Sequence, residues 1–278
     1  MTIDDLVRRV PPPPAPVDGD GDWTAVDRTL GRSLPADFKD LVRRYGRGEF
    51  LDFLFPHTPF GLGNLLDEAD GLLELEGPLR DEFPENYPYP LHPEPGGLLV
   101  WAATVNGDRL CWLTGGEPHR WPVVVWDPRG SRYERHDVTA TGFLSAWIDG
   151  RLTCGLFPPM PQVAPWFEPV RDLTRIYVRL AGDEHPYAER LRILRAALAP
   201  TTDRGGVESA DGLRQDRFVA TAARWRVTYE TMYGHQVRIA FPPGDADRVR
   251  AALSAAVASM GCRVLSAMTG DGTPTWTR

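Results

Sequence analysis

The sequence is poor in lysine and cysteine, and it has no long apolar run. Lys39 is the one lysine in 278 residues, and this preference for arginine is typical of GC-rich genomes such as those of actinobacteria. No apolar run approaches the roughly 20 residues that a transmembrane helix needs. The first ten residues, MTIDDLVRRV, lack the apolar core of about 7–15 residues found in secretory signal peptides. These absences favour a cytoplasmic protein.

The three cysteines and six histidines show no metal-binding or disulfide pattern. Cys111, Cys154 and Cys262 are odd in number and far apart, and each lies in an apolar segment. Disulfide frameworks use even numbers of cysteines, whereas Cys-x-x-Cys metal sites place them close together. No two histidines have the i, i+4 spacing of a helical metal pair. The sequence therefore predicts free thiols in a reducing compartment, with neither a metal nor a cofactor.

Motifs of catalysis are also missing. The chain contains neither a Gly-x-Ser-x-Gly nucleophile elbow nor a phosphate-binding loop, and Gly115-Gly116 leads to Pro118, not to a helix. Asp108 follows a turn, where aspartate usually binds turn amides. The tryptophans at 101, 112, 121 and 126 are expected in the core or as partner anchors. We therefore predict no catalytic residue and no enzymatic activity.

Residues 96–126 alternate dense apolar runs with turn residues, a pattern typical of an antiparallel meander. Asn106-Gly107 separates two runs, and Asn-Gly is a strong signal for a type I′ hairpin, which needs positive φ at both positions. A third run spans residues 121–126, and residues 133–138 predict a fourth strand. Thr141 is expected to cap the helix that follows.

Two short helices and one strand are predicted before this meander. Asp22 is expected to cap the first helix, which Gly31 ends. The second helix begins near Pro35 and ends at Gly46. The apolar run from residue 49 to 55 predicts a single strand.

A third helix and the loop after it are the candidate partner-binding region. Asn64 is expected to cap this helix. Between residues 67 and 94 there are nine acidic residues and one basic residue, Arg80. An acidic surface of this kind attracts a basic partner over long distances. The predicted buried stripe of this third helix is Leu65, Leu66, Ala69, Leu72 and Leu73. The candidate partner-binding residues are Asp67, Glu68, Asp70 and Glu74 on the helix, with Tyr87 and Tyr89 displayed by the loop.

Several short motifs occur in the order found in a known superfamily. The first group is Trp23, Val26, Leu30-Gly31, Leu34-Pro35, Asp37-Phe38-Lys39, Leu41, Tyr45-Gly46 and Gly48-x-Phe50. The second group is Leu99-x-Trp101, Asn106-Gly107-Asp108, Leu110-Cys111-Trp112-Leu113, Trp121-Pro122-Val123-Val124-Val125 and Phe143-Leu144-x-x-Trp147. Over residues 20–158 the chain thereby resembles the SUKH superfamily, which is shared by bacterial immunity proteins and fungal cell-wall-assembly regulators.

The resemblance implies an α+β domain with a central antiparallel sheet and no catalytic residue. Bacterial SUKH proteins are mostly immunity proteins that bind and neutralise a cognate toxin, often a nuclease or a deaminase. Fungal members are regulators that act through protein contacts. We therefore expect a toxin or another protein as partner. The alternatives are an intracellular regulatory or scaffold protein, and nucleic-acid binding by a second domain.

The balance of acidic and basic residues, and the spacing of apolar residues, both change in the last 110 residues or so. Residues 1–165 carry 25 acidic and 15 basic residues, whereas residues 166–278 carry 13 and 16. Ile176, Val178 and Leu180 alternate with polar residues, which predicts a half-buried strand. A helix at 186–199, a loop, two strands around Gly234, a helix capped by Asp245 and a last strand at 262–268 follow. The order β-α-β-β-α-β is that of a ferredoxin-like sandwich.

The resulting domain prediction has four parts. They are a proline-rich arm at residues 1–21, a SUKH-like domain at 22–158, a linker at 159–170 and a ferredoxin-like α+β domain at 171–278.

Several arginines lie out of phase with the predicted core of the second domain. Together with Tyr177, they are expected on the open face of its sheet, where they could hold phosphates while the ring stacks on a base. Alternatively, they are solvated or dock onto the acidic first domain or a partner. The slight positive charge and the lack of an aromatic RNA-binding motif favour this second interpretation, so we do not expect nucleic acid as the main partner. These arginines are Arg175, Arg179, Arg224, Arg226, Arg238 and, less regularly placed, Arg263.

Overall fold

The computed structural model describes residues 3–182 and 184–276, which belong to two compact units. The first unit comprises the chain up to residue 160 together with residues 165–170, and the second comprises residues 161–164 and those from 171 onward. Each unit is a mixed α+β structure built on an antiparallel sheet, as the sequence predicts. Among these described residues, no helix is both long and apolar enough to cross a membrane.

The first unit has five α-helices and seven strands within the part of the chain that the structure describes. Its helices are α1 (Ile3–Arg9), α2 (Trp23–Leu30), α3 (Ala36–Tyr45), α4 (Leu65–Glu82) and α5 (Ala140–Ile148). Its strands are β1 (Gly48–Phe50), β2 (Leu54–Pro56), β3 (Leu98–Thr104), β4 (Arg109–Leu113), β5 (Val123–Asp127), β6 (Arg132–His136) and β7 (Phe167–Pro169). The sheet order is β6-β5-β4-β3-β2-β1-β7. The predicted meander is therefore the β3 to β6 part of a larger sheet.

The segment predicted as one strand at residues 49–55 is instead a tight hairpin of β1 and β2. Leu51 and Asp52 form its turn with φ of 61° and 52°, a conformation that costs non-glycine residues of order 1–3 kcal/mol each. Trp166 stabilises the turn, since its carbonyl accepts from Leu51 N at 3.1 Å and its indole nitrogen donates to Asp52 Oδ1 at 3.2 Å. Neither turn residue is glycine or asparagine, and one aspartate inside an apolar run is only a weak turn signal.

Two segments predicted as connections contribute to the first unit. Residues 3–9, within the predicted arm, form α1, and Leu6 and Val10 are fully buried. The carbonyl of Val10 accepts a 2.6 Å hydrogen bond from Tyr45 Oη. Residues 167–169, within the predicted linker, form β7, which pairs with β1.

The hairpin at Asn106-Gly107 is present, but its turn is not type I′. Gly107 has a φ of 86°, whereas Asn106 does not have a positive φ. Gly107 N donates to Thr104 O and Thr104 N to Asp108 O, both at 2.9 Å, which closes a three-residue loop. Asp108 is buried, and its Oδ2 accepts a 2.8 Å hydrogen bond from Thr104 Oγ1. Asp108 therefore stabilises the loop.

The tryptophans of the meander lie in the core of the first unit, as predicted. Trp101 on β3 and Trp112 on β4 are fully buried and stack with a centroid distance of 5.9 Å. Phe38 of α3 meets both rings edge-on, at 6.2 and 4.8 Å. These contacts hold α3 against the two strands.

The second unit contains a six-stranded antiparallel sheet. Its elements are β8 (Thr174–Ala181), α6 (Tyr187–Ala197), β9 (Thr201–Glu208), β10 (Arg214–Ala220), β11 (Trp225–Glu230), β12 (Gln236–Phe241), α7 (Ala246–Ser259) and β13 (Arg263–Thr269). The sheet order is β13-β8-β12-β11-β10-β9. The hairpin β9–β10 occupies the region predicted as a loop, so the predicted ferredoxin-like order is not confirmed. The sequence does not predict β9 because this edge strand has no buried residue, and so its side chains show no alternation of apolar and polar residues.

Two of the four predicted N-cap residues cap their helices in the structure, and two do not. Asp22 and Asn64 cap α2 and α4 as predicted. Thr139, not Thr141, caps α5, since its Oγ1 accepts from Gly142 N at 3.2 Å. Asp245 precedes α7 without capping it, because its carboxylate accepts from the Trp225 indole at 2.8 Å.

Candidate functional site

Helix α4 carries four of the six predicted partner-binding residues. Asn64 begins the helix with a capping box: its Oδ1 accepts from Leu66 N at 2.9 Å and Asp67 N at 3.2 Å, and its own backbone N lies 3.4 Å from Asp67 Oδ2. The charge of Asp67 therefore also stabilises the positive end of the helix. The helix continues through Gly77-Pro78 to Glu82, well beyond the predicted stripe.

The buried stripe of α4 differs from the prediction at its edges. Leu65, Ala69, Leu72 and Glu76 are the buried residues of the helix. Their spacing of four, three and four residues places them on one helical face. Leu66 is only half-buried and Leu73 is 36% exposed, so neither is a core residue.

The face opposite the buried stripe carries exposed carboxylates. Asp67, Asp70, Glu74 and Asp81 are exposed and recur at i, i+3, i+7 and i+14, which aligns them along the helix. We call these four residues the acidic ridge. Glu68 is half-buried and lies about 100° around the helix from Asp67, next to the buried stripe, so it is not part of the ridge. Asp70 and Glu74 have no side-chain hydrogen bond or ion pair with any residue that the structure describes. Their charges are available to a partner.

The loop after α4 forms a groove next to the acidic ridge. The groove has a volume of about 580 Å³, and we call it the tyrosine groove. Arg80, the one cation of this region, pairs with Glu94 at 2.5 Å and so adds little positive charge. Asp81 belongs to both the ridge and the groove, so the structure joins the two into one surface. The lining residues are Arg80, Asp81, Pro84, Tyr87, Pro88, Tyr89 and Pro90.

Tyr87 and Tyr89 are half-buried, whereas the sequence predicts that the loop displays them. Tyr87 Oη donates a 2.7 Å hydrogen bond to Glu76 Oε2, and its ring meets Trp126 edge-on at 6.0 Å. Burial, followed by the hydrogen bond to the Glu76 carboxylate and its charge, raises the pKa of Tyr87 to about 12. Tyr89 packs edge-on against Tyr133 at 5.7 Å. The loop is thus held against the sheet, and each tyrosine presents only part of its ring.

A second apolar stripe, which the sequence does not predict, runs along the end of α4 to Phe83, the residue that follows the helix. Leu75, Leu79 and Phe83 are 58%, 41% and 42% exposed and follow one another at i, i+4 and i+8. Their spacing is the signal that could have found them. A spacing pattern does not reveal which of two apolar stripes the rest of the protein covers.

The predicted arginine face of the second unit is only partly assembled. Arg175, Tyr177 and Arg179 alternate along β8 and are exposed, as predicted. The guanidinium groups of Arg175 and Arg179 make no hydrogen bond or ion pair within the described part of the chain. Arg226 on β11 is half-buried. Arg224 lies in the turn before β11 with a φ of 56°, so it is not a strand residue.

A buried carboxylate partly neutralises this face. Glu230 is fully buried, and Arg238 Nε lies 2.9 Å from its Oε1. The amides of Gln215 and Gln236 each donate to Glu230 at 2.6 Å. Arg238 is therefore paired with the buried Glu230 carboxylate, and its charge is not free for a phosphate.

Three possible metal ligands meet at the edge of the first sheet. Glu134 and His136 are two residues apart on β6 and so point to the same side, and Cys154 follows α5. Glu134 Oε1 lies 3.2 Å from His136 Nε2, and Cys154 Sγ donates to Glu134 Oε2 at 3.5 Å. The three ligand atoms lie within 4.8 Å of one another. The sequence predicts no metal site, because these three residues do not have the short spacings of known metal-binding motifs.

Comparison with known proteins bears on the unit that carries the acidic ridge. The family model SUKH_6, described as SMI1-KNR4 cell-wall, matches residues 20–144, a little under half of the chain. This range extends from α2 into α5 and includes the whole ridge and groove. No curated protein and no solved structure matches the chain. SUKH proteins are generally non-enzymatic immunity or regulatory proteins. Residues 20–144 are therefore a SUKH domain of the SMI1-KNR4 family.

Proposed function

We propose that this protein is an immunity protein that binds and neutralises a cognate bacterial toxin of the nuclease or deaminase type. The observation that carries the proposal is the junction of the acidic ridge with the tyrosine groove inside the SUKH domain. Asp70 and Glu74 of the ridge offer unpaired carboxylates to basic side chains. The groove offers rings and prolines to an apolar or aromatic side chain.

The charge of the ridge suits a toxin that acts on nucleic acid. Such a toxin carries a basic surface for phosphate, and a ridge of carboxylates competes for that surface. Residues 1–165 have ten more acidic than basic residues, 25 against 15, so long-range attraction accelerates the encounter. We place the encounter in the cytoplasm, because all three cysteines are free.

The exposed apolar residues at the end of α4 and just after it supply the desolvated part of the interface. Leu75, Leu79 and Phe83 lead from the middle of the helix to Pro84, which lines the tyrosine groove. Exposed apolar side chains rimmed by charged residues are typical of protein-binding surfaces.

The experiment is rescue of cell growth by co-expression with toxins encoded beside this protein's gene, followed by kinetics of the rescued pair. Reversing Asp70, Glu74 and Asp81 to lysine is expected to slow association at least tenfold at low salt. The matched control reverses three exposed acidic residues elsewhere, Asp172, Asp211 and Glu117, and should leave most of the rate intact. Unchanged association of the ridge variant contradicts the proposed surface. A stable complex with a non-toxin protein and no rescue favours the regulatory role.

Nucleic-acid binding by the second unit is the second candidate function. Exposed Tyr177 lies between the unpaired side chains of Arg175 and Arg179, an arrangement that can stack a base and hold phosphates. Retention on a heparin column that falls on replacing both arginines with glutamine supports this function. Equal retention of the variant and the original protein contradicts it.

A further inference from the structure

We propose that Glu134, His136 and Cys154 form a binding site for Zn²⁺ or a similar divalent cation. A thiolate sulfur, an imidazole nitrogen and a carboxylate oxygen are the ligands that zinc uses in proteins, whereas magnesium and calcium prefer oxygen alone. Three protein ligands leave the fourth tetrahedral position to water. We call these three residues the zinc site.

The spacing of the ligand atoms suits this coordination. With Zn–S of about 2.3 Å and Zn–N and Zn–O of about 2.0–2.1 Å, tetrahedral ligand atoms lie roughly 3.3–3.6 Å apart. Glu134 Oε1 lies 3.2 Å from His136 Nε2, and the other oxygen of the same carboxylate, Oε2, lies 3.5 Å from Cys154 Sγ. With one oxygen taken from Glu134, the three ligand atoms lie within 4.8 Å of one another. To bind one cation, the three ligand atoms would close from within 4.8 Å of one another to this spacing.

Neighbouring groups hold two of the ligands in place. Gly155 N donates to Glu134 Oε2 at 2.7 Å, and the Phe143 ring packs against the His136 ring at 5.1 Å. His136 Nε2 is buried, and although Glu134 Oε1 lies 3.2 Å away, the angles of this contact are not those of a hydrogen bond, and Nε2 forms none with any other described residue. Supporting contacts of this kind orient metal ligands and raise affinity.

The zinc site opens to solvent on one side. The Glu134 side chain is 33% exposed and that of His136 is 11% exposed, while Cys154 is buried. A cation thus enters past Glu134. Binding forms the Zn–S, Zn–N and Zn–O bonds and releases the Cys154 thiol proton to solvent. Because β6 is an edge strand, the cation joins this edge to the chain that follows α5.

The test is titration of the full chain, first stripped of metal with a chelator, with Co²⁺ as a spectroscopic probe. We expect one equivalent of Co²⁺ to give a thiolate-to-cobalt charge-transfer band and the intense visible bands of tetrahedral cobalt, both removed by adding Zn²⁺. Cys154→Ser should abolish the charge-transfer band. Cys262→Ser, which changes a half-buried thiol in the second unit, should retain it.

Glu134→Gln gives an independent test, because the amide can still accept from Gly155 N but no longer carries charge. Its Co²⁺ dissociation constant is expected to rise at least tenfold, with an unchanged circular dichroism spectrum. Absence of the band at millimolar Co²⁺ in the original protein overturns the zinc site. Retention of the band in Cys154→Ser, or unchanged affinity of Glu134→Gln, overturns it equally.

Discussion

Tyr87 Oη donates a 2.7 Å hydrogen bond to Glu76 Oε2, across 11 residues of the chain. This bond connects the loop of the tyrosine groove to the buried side of α4. Glu76 occupies a position of the buried stripe where the helical pattern predicts an apolar residue, and it is 5% exposed. A buried carboxylate needs hydrogen-bond donors, so the tyrosine holds the loop in place as well as contributing to the groove.

Replacing Tyr87 with phenylalanine is therefore expected to destabilise the protein by about 1–3 kcal/mol, because the Glu76 carboxylate loses a donor while remaining buried. Urea denaturation followed by tryptophan fluorescence measures this change. Tyr89→Phe is the control, since the Tyr89 hydroxyl has no hydrogen bond within the described residues. Equal stability of the two variants contradicts the role given to Tyr87.

The stability of the protein should fall as the pH drops from about 6.5 to 4. Burial, together with the positive charge of Arg109, lowers the pKa of His57 to about 4, from 6.5 in an unfolded chain. Between these values the unfolded chain binds a proton that the folded protein does not. The contribution of neutral His57 to the free energy of unfolding is therefore complete above pH 6.5 and is lost towards pH 4. It amounts to at most ~3 kcal/mol.

Urea denaturation at several pH values measures this dependence. His57→Gln should flatten the slope between pH 6.5 and 4. The control is His119→Gln, which changes an exposed histidine. If the His57 variant keeps the slope of the original protein, His57 is not its source.

Leu6→Ala should destabilise the first unit by about 2–5 kcal/mol, the usual cost of truncating a buried leucine. Leu6 is fully buried, although it lies in a segment that the sequence assigns to an arm. Arg8→Ala, on the exposed side of α1, is the matched control. Thermal denaturation distinguishes the variants, and a Leu6→Ala protein as stable as the original one indicates that α1 does not pack as described.

Arg238→Met is expected to cost the second unit ~3 kcal/mol, because it leaves the buried Glu230 carboxylate with two neutral amide donors and no cation. The double variant Arg238→Met with Glu230→Gln should recover much of that loss. Arg179→Met, which removes an exposed arginine without an ion-pair partner, should have little effect. Denaturant midpoints of the three variants decide between these outcomes.

Local signals in the sequence located most elements of the first unit. Asp22 and Asn64 cap helices, Gly31 ends one, and the apolar runs around Asn106-Gly107 form paired strands. These features depend on residues within a few positions of one another. Local signals predicted the wrong structure where contacts with distant residues decide it. At Leu51 and Asp52, for example, Trp166 stabilises a turn with positive φ. Local signals also failed at β9, where an exposed edge strand needs no apolar alternation.

The candidate site shows the same division. The sequence by itself determined that residues 67–94 are acidic, that Asn64 starts a helix and that residues 20–158 resemble a SUKH domain, because composition, capping and motif order are local properties. Only the tertiary structure decided that Glu76 is buried beneath Tyr87, that Asp81 joins the ridge to the groove and that Cys154 meets Glu134 and His136. Each of these depends on segments packed together from separate parts of the chain, and helical or strand periodicity carries no information about such packing.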